Sequence, residues 1–122
     1  MSNVNFILLY VENVARSADF YSRLLDKPVP ESSPGFVMLP VAPDLMLGLW
    51  RRDEVEPKAG APGGGEIAIA LPDDAAVEAE HARWVAFGVN IAQKPTRMDF
   101  GYTFVGHDPD GHRIRAFAPS AS

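Results

Sequence analysis

The chain has 122 residues, of which 47% are hydrophobic and 22% are charged. That length suits one domain with a core of its own, and the composition excludes a disordered chain or a coiled coil. The net charge of −5 argues against a nucleic-acid partner. No stretch approaches the ~20 apolar residues of a membrane span, so we expect no membrane partner. The chain has no cysteine, which excludes disulfides and thiolate chemistry and, with no apparent secretory signal, favours a cytoplasmic location.

The first half predicts a strand followed by a helix. Phe6–Val11 is a nearly unbroken apolar run, typical of a strand that is covered on both faces. Asn13 can cap the next helix, in which apolar residues recur at helical spacing. We expect Lys27-Pro28 to end that helix.

The second half repeats this order. Glu66–Leu71 predicts another strand, and its alternation directs Glu66, Ala68 and Ala70 to one face. Asp73 and Asp74 are candidate caps for a second helix, and Gly88 is placed to end it.

Each helix is followed by a predicted β-hairpin. The first turns at Ala42–Asp44 and the second at Asp108–Gly111, where proline and glycine favour a tight turn. Aligning Pro43 with Pro109 suggests a duplicated βαβββ module, although an α+β domain with a coincidentally similar pattern is the alternative. The predicted boundaries are about 4–51 and 65–118 for the modules and 52–64 for a Pro/Gly-rich linker, all within one domain, 1–122.

Two segments carry a family resemblance, YVENVARSADFYSRLL in the first half and DPDGHRIRAF in the last hairpin. They resemble the vicinal oxygen chelate superfamily, which groups glyoxalases, bleomycin-resistance proteins and extradiol dioxygenases. Within it the chain is most similar to the phenazine-antibiotic-resistance type. The resemblance covers nearly the whole chain. It implies an α+β fold of two βαβββ modules, whose curved mixed sheets enclose a cleft, and it implies a homodimer.

The resemblance also implies where a metal would lie, because enzymes of the superfamily bind one with a ligand from each of four strands. Those positions fall on Phe6, at or next to Leu49, on Glu66 and on Arg115. Phe6 and Leu49 have no donor atom, and the guanidinium of Arg115 repels a cation. We therefore expect no metal and no other cofactor.

Glu66 and Arg115 are expected to form an ion pair at that former metal position. The pair has two interpretations. It either binds a polar group of a ligand or only neutralises two partly buried charges.

Aromatic residues form the other candidate constellation, since a flat ligand can stack on them. Trp50 is the strongest candidate because it matches a tryptophan of the phenazine-resistance pattern. Alternation places Trp50 opposite Leu49, so a bulge would be needed to direct both into the cleft. Taken singly, each aromatic residue is more often part of a core than of a ligand site. The complete predicted ligand-binding set is Trp50, Glu66, Arg115, Phe36, Tyr102, Phe104, Phe6 and Leu49.

The site residues favour a binding protein. We expect it to sequester a small aromatic antibiotic or toxin without a metal, and we assign no catalytic residue. The alternative is a glyoxalase- or dioxygenase-like enzyme with altered or absent metal ligands. A third interpretation is a metal-free acid–base enzyme that uses Glu66.

Overall fold

The computed structural model describes residues 3–28 and 33–120. The chain divides into two compact units, Met1–Ala61 and Pro62–Ser122, referred to below as the first and second modules. Their boundary falls within residues 52–64, the segment predicted as a linker. The ends of the predicted domain 1–122 lie outside the described residues.

The first module contains one helix and a three-stranded sheet. Its elements are β1 (Phe6–Val11), α1 (Val14–Leu25), β2 (Phe36–Ala42) and β3 (Leu45–Arg51), followed by a 3₁₀ turn at Arg52–Glu54. The strand order is β1-β3-β2, with β1 parallel and β2 antiparallel to β3. Over the described residues this module is therefore βαββ, one strand fewer than the predicted βαβββ unit.

The second module has the full βαβββ pattern. It consists of β4 (Glu66–Ala70), α2 (Asp74–Ala86), β5 (Asn90–Met98), β6 (Gly101–His107) and β7 (Arg113–Pro119). The order is β4-β7-β6-β5, in which β4 runs parallel to β7 and the other pairs are antiparallel. The predicted α+β class with mixed sheets is confirmed.

The helix boundaries follow from capping chemistry. The side chain of Asn13 accepts a hydrogen bond from the backbone N–H of Arg16 at 2.9 Å, as predicted. The side chain of Asp73 caps α2 in the same way. Helix α2 ends before Gly88, whose φ of 86° suits the predicted terminator. Helix α1 ends one residue before Lys27-Pro28, at a left-handed Asp26 with φ of 53°.

Each sheet packs one face on the helix of its own module, because apolar side chains alternate along the strands. The opposite face of β1 leaves Phe6 47% and Leu8 41% exposed, so the prediction that this strand is covered on both faces is wrong. Buried core residues of the first module include Tyr21, Leu24, Val37, Leu39, Leu47 and Leu49, and those of the second include Val77, Trp84, Phe104, Ile114 and Ala116.

The strand register corrects the correspondence between the two modules. In the first module Leu8 pairs with Gly48, and in the second Ala68 pairs with Arg115. Leu8 and Ala68 occupy the same place in their strands, so the counterpart of Arg115 is Gly48. The prediction placed this counterpart at or next to Leu49, and the register assigns it to the neighbouring Gly48.

The cause of this shift is a bulge in the first hairpin. The register of β2 changes between Pro40 and Ala42, just before the turn at Pro43-Asp44. The second hairpin keeps its register as far as the pair His107 and Arg113. When the paired strand residues of the two hairpins are aligned, the Pro-Asp sequences of their turns consequently differ in position by one residue.

Candidate functional site

A pocket opens on the face of the first sheet that points away from α1. Its volume is about 590 Å³, within the range typical of small-molecule sites. Every lining residue is apolar or aromatic, so the pocket can bind by contact and stacking. The lining residues are Phe6, Leu8, Phe36, Met38 and Trp50.

Trp50 lies between two other aromatic rings in this sheet. It pairs with Tyr10 of β1 on one side and with Phe36 of β2 on the other. The ring centroids are 6.2 Å and 6.5 Å from that of Trp50, both in edge-to-face geometry. Three neighbouring strands thus place aromatic rings on one face. No bulge is needed to direct Trp50 there, because Leu49 is the residue that faces the helix.

Two of the predicted ligand-binding residues, Leu49 and Phe104, are buried on the helix-covered sides of the sheets, and their assignment is wrong. Leu49 and Phe104 have no exposed surface. The ring of Phe104 packs against Trp84 of α2 at a centroid distance of 4.7 Å. Tyr102 precedes Phe104 by two residues and therefore faces the same way. Burial and then the Glu78 carboxylate of α2 raise the pKa of Tyr102, which is consistent with that placement.

The predicted ion pair of Glu66 and Arg115 is confirmed on the second sheet. Nε and Nη2 of Arg115 donate to the two carboxylate oxygens of Glu66 at 3.1 Å and 3.0 Å, a bidentate geometry. Nη1 of Arg115 donates to Gln93 Oε1 at 3.2 Å and to Thr103 Oγ1 at 3.1 Å. The side chains of Arg115 and Glu66 are 15% and 30% exposed. Four acceptor atoms, on three side chains, therefore hold this guanidinium in place.

A second arginine adds positive charge to this cluster. Nη2 of Arg113 lies 3.1 Å from Oε2 of Glu66. The hydrogen bonds from Arg115 lower the pKa of Glu66; burial opposes them, and the charges of Arg115 and Arg113 lower it further. A carboxylate held in this way is a weak base, which disfavours the interpretation that Glu66 acts as an acid–base catalyst.

Sequence reasoning missed four residues of the two surfaces. Leu8 and Met38 lie two positions after Phe6 and Phe36, so strand alternation could have identified them. Thr103 likewise alternates with the helix-facing Phe104. Gln93 carried no usable signal, because the predicted βαβββ pattern includes a strand before the last hairpin but no residues were assigned to it. That strand is at the sheet edge, has two register shifts and lacks a clear apolar alternation.

The two mixed sheets, each packed on one helix, place the protein in the glyoxalase fold class. A glyoxalase-related enzyme from Fulvimarina pelagi matches with a TM-score of 0.83 at 20% identity, over 97% of this chain and 88% of that chain. Lactoylglutathione lyase from Agrobacterium tumefaciens matches with a TM-score of 0.75 at 19% identity, over 97% of this chain and 94% of that chain. These likenesses establish the fold.

Sequence comparison identifies the family. The model of the Glyoxalase/Bleomycin resistance protein/Dioxygenase superfamily matches residues 3–116, and the chain belongs to this superfamily. It is 36% identical to the phenazine antibiotic resistance protein EhpR of Enterobacter agglomerans, over 91% of this chain and 88% of that protein. It is also similar to protein ATC0852 from Agrobacterium tumefaciens, whose solution NMR structure matches with a TM-score of 0.90 at 45% identity, over 99% of this chain and 100% of that chain.

The positions at which the resemblance implies metal ligands do not fit a divalent ion. Phe6 has no donor atom and Gly48 has no side chain, whereas both carboxylate oxygens of Glu66 are bound by Arg115. Within residues 3–28 and 33–120, no three His, Cys, Asp or Glu side chains are grouped to hold a metal ion. In the same part of the chain, neither helix is long and apolar enough to cross a lipid bilayer.

Proposed function

We propose that this protein binds a planar aromatic small molecule in the pocket of the first module and holds it chemically unchanged, without a metal. The pocket carries this proposal. Its volume of about 590 Å³ and its wholly apolar lining suit a flat, weakly polar compound. Trp50 and Phe36 offer rings on which such a ligand can stack.

The relatives support a particular ligand class. EhpR, to which the chain is 36% identical, is a phenazine antibiotic resistance protein. Phenazines are flat, three-ring aromatic compounds, which is the shape that the pocket chemistry favours. We therefore propose phenazine-like antibiotics or toxins as the ligands and sequestration as the means of resistance.

We propose the cluster of Glu66 and Arg115, on the second module, as a separate polar contact for a ligand. The bidentate pair is partly exposed, with Glu66 at 30%, so a polar ligand group can approach the carboxylate edge. The charges of Glu66 and Arg115 neutralise each other. An uncharged ligand can therefore contact the pair at a modest cost in desolvation.

The remaining features of the proposal concern the setting of the protein. We propose a cytoplasmic homodimer whose partner is a small molecule and not a nucleic acid or a membrane. The exposed apolar side chains of Phe6 and Leu8 are consistent with further burial by a ligand or a second subunit.

The proposal is tested by titrating purified protein with phenazine and recovering the compound afterwards. We expect saturable quenching of tryptophan fluorescence, recovery of unaltered phenazine and no stoichiometric metal by elemental analysis. Addition of Zn²⁺, Ni²⁺, Mn²⁺ or Fe²⁺ should leave the affinity unchanged. About one tightly bound metal ion per chain, or conversion of the ligand, would instead support the enzymatic alternative.

A further inference from the structure

A glycine lies in the sheet beneath the side chains that line the pocket. Gly48 is in the middle of β3 and pairs with Leu8 of β1 and Met38 of β2, both of which line the pocket. Trp50, also in the lining, follows two positions later on the same face. Gly48 is itself buried, because the side chains around it close over its backbone.

The backbone does not require glycine at this position. The glycines with positive φ in the described residues are Gly63, Gly88, Gly101 and Gly111, so Gly48 has a conformation that any residue can adopt. Glycine inside a strand costs stability and often marks a place where another group approaches closely. The missing side chain is therefore the property that matters at Gly48.

Two pocket walls occupy the space of that missing side chain. A Cβ atom built on Gly48 would lie 2.5 Å from Cδ2 of Leu8 and 3.1 Å from Cζ of Phe36. Both distances are shorter than ordinary van der Waals contact. Even a methyl group would force Leu8 away from the strand and press on the ring of Phe36, and the open volume beside both is the pocket.

We propose that Gly48 is the specificity-determining residue of the pocket. Because it has no side chain, the pocket stays wide enough for ligands with extended fused rings. This inference rests on the proposed function and names the position that sets the ligand size. Larger residues at 48 move Leu8 and Phe36 into the pocket. The loss of affinity should therefore increase with the number of fused rings in the ligand.

The test compares Gly48→Ala with the wild type, using phenazine (three rings) and quinoxaline (two rings) in calorimetric titrations. We expect the affinity for phenazine to fall at least about tenfold, the scale of a pocket that differs by one methyl group. The affinity for quinoxaline should fall by less than about threefold. Equal losses for the two ligands, or no loss for either, would overturn the inference.

Gly106 of β6 provides a matched control. A Cβ atom there would lie 2.8 Å from Cγ1 of Val89 and 3.1 Å from the Trp84 ring, on the helix-covered face of the second sheet. Gly106→Ala should lower the melting temperature and leave both affinities unchanged. If Gly48→Ala behaves in the same way, its role is packing alone and the inference is wrong.

A second variant keeps the test valid if Gly48→Ala is poorly folded. Leu8→Ala removes the atom nearest to the new methyl group, and Leu8 is 41% exposed, so its truncation should be tolerated. We expect the Gly48→Ala, Leu8→Ala double variant to recover phenazine affinity relative to Gly48→Ala. Failure to recover it contradicts the inference, whereas absence of binding by the wild type contradicts the proposed function itself.

Discussion

At the residue scale, the environment of Trp50 differs sharply from that of the other tryptophan. Trp50 lines the pocket and lies between Tyr10 and Phe36. Trp84 has no exposed surface and packs edge-to-face on Phe104. The two indoles therefore serve different purposes, the first as a candidate ligand contact and the second as part of the core.

Replacement of Trp50 should weaken binding and leave the fold intact. We expect Trp50→Ala to reduce the affinity for phenazine by about 1–3 kcal/mol, the value of an anchoring aromatic residue. Trp50→Phe should lose less, because it keeps a ring for stacking. Calorimetric titration measures both effects.

The matched control for this change is Trp84→Phe. It opens space in the core, so we expect lower stability in urea with an unchanged dissociation constant. Equal loss of affinity from Trp84→Phe and Trp50→Phe, with both variants folded, would mean that the pocket is not the binding site.

Arg115 is expected to matter more to stability than its neighbour Arg113. Arg115→Met keeps the aliphatic part of the side chain and removes the bidentate partner of Glu66. The side chain of Glu66 is 30% exposed. We expect a loss of about 1–3 kcal/mol in the free energy of unfolding. Arg113→Met removes one contact from a side chain that is 43% exposed and should cost less than about 1 kcal/mol. Urea denaturation of both variants tests this order.

The lowered pKa of Glu66 predicts a definite pH dependence. Because folding stabilises the ionised form, this contribution is complete above the ordinary glutamate pKa of about 4.3 and disappears as the pH falls through the lowered value. The difference in unfolding free energy between the wild type and Glu66→Gln should be constant from about pH 6 to 8 and shrink below about pH 4. A difference that grows towards acid would contradict the assigned ion pair.

At the element scale, the helix caps were predictable and can be tested directly. The side chain of Asp73 accepts a hydrogen bond from the N–H of Ala76 at 2.8 Å. We expect Asp73→Ala to lower stability by about 1 kcal/mol, and Asp73→Ser to preserve most of it, since serine also caps. Thermal unfolding followed by circular dichroism distinguishes them, and equal losses would show that the cap is not the source of the effect.

Sequence patterns predict the residues of every strand except β5. Strands β1 and β4 are apolar or alternate clearly, and both hairpins have proline-containing turns. Strand β5 has the sequence NIAQKPTRM, with a proline and two charged residues. It pairs only with β6 at the sheet edge, where long-range pairing and not local pattern holds it in place. Gln93, and with it one partner of Arg115, was therefore not foreseen.

At the scale of the whole molecule, the sequence predicted the α+β fold and the ion pair but misassigned part of the site. The error at Leu49 has a physical origin, because a shift of one residue along a strand exchanges its two faces. The bulge between Pro40 and Ala42 produces that shift, and no residue in this segment is typical enough of a bulge to predict it. The assignment of Phe104 is wrong for another reason, since an aromatic side chain suits both a core and a ligand site.

The proposed homodimer is checked by light scattering coupled to size-exclusion chromatography. One chain has a mass of 13.3 kDa, and we expect twice that value in the micromolar range. The double variant Phe6→Ser, Leu8→Ser should weaken the dimer if these exposed side chains contribute to its interface. A wild-type mass of one chain at all concentrations would rule out the dimer.

The two hairpins match each other in register over five residue pairs, up to the bulge in the first, which has a consequence for how such a chain can diversify. Positions 36 and 50 pair in the first and 103 and 117 in the second, with the same spacing along the chain. This shared spacing determines which positions of each hairpin face the helix and which face away. Substitutions on the outward face therefore leave the packing against the helix unchanged, so the two outward faces can acquire different chemistry. The outward face of the first sheet carries aromatic side chains, and that of the second sheet carries the ion pairs of Glu66.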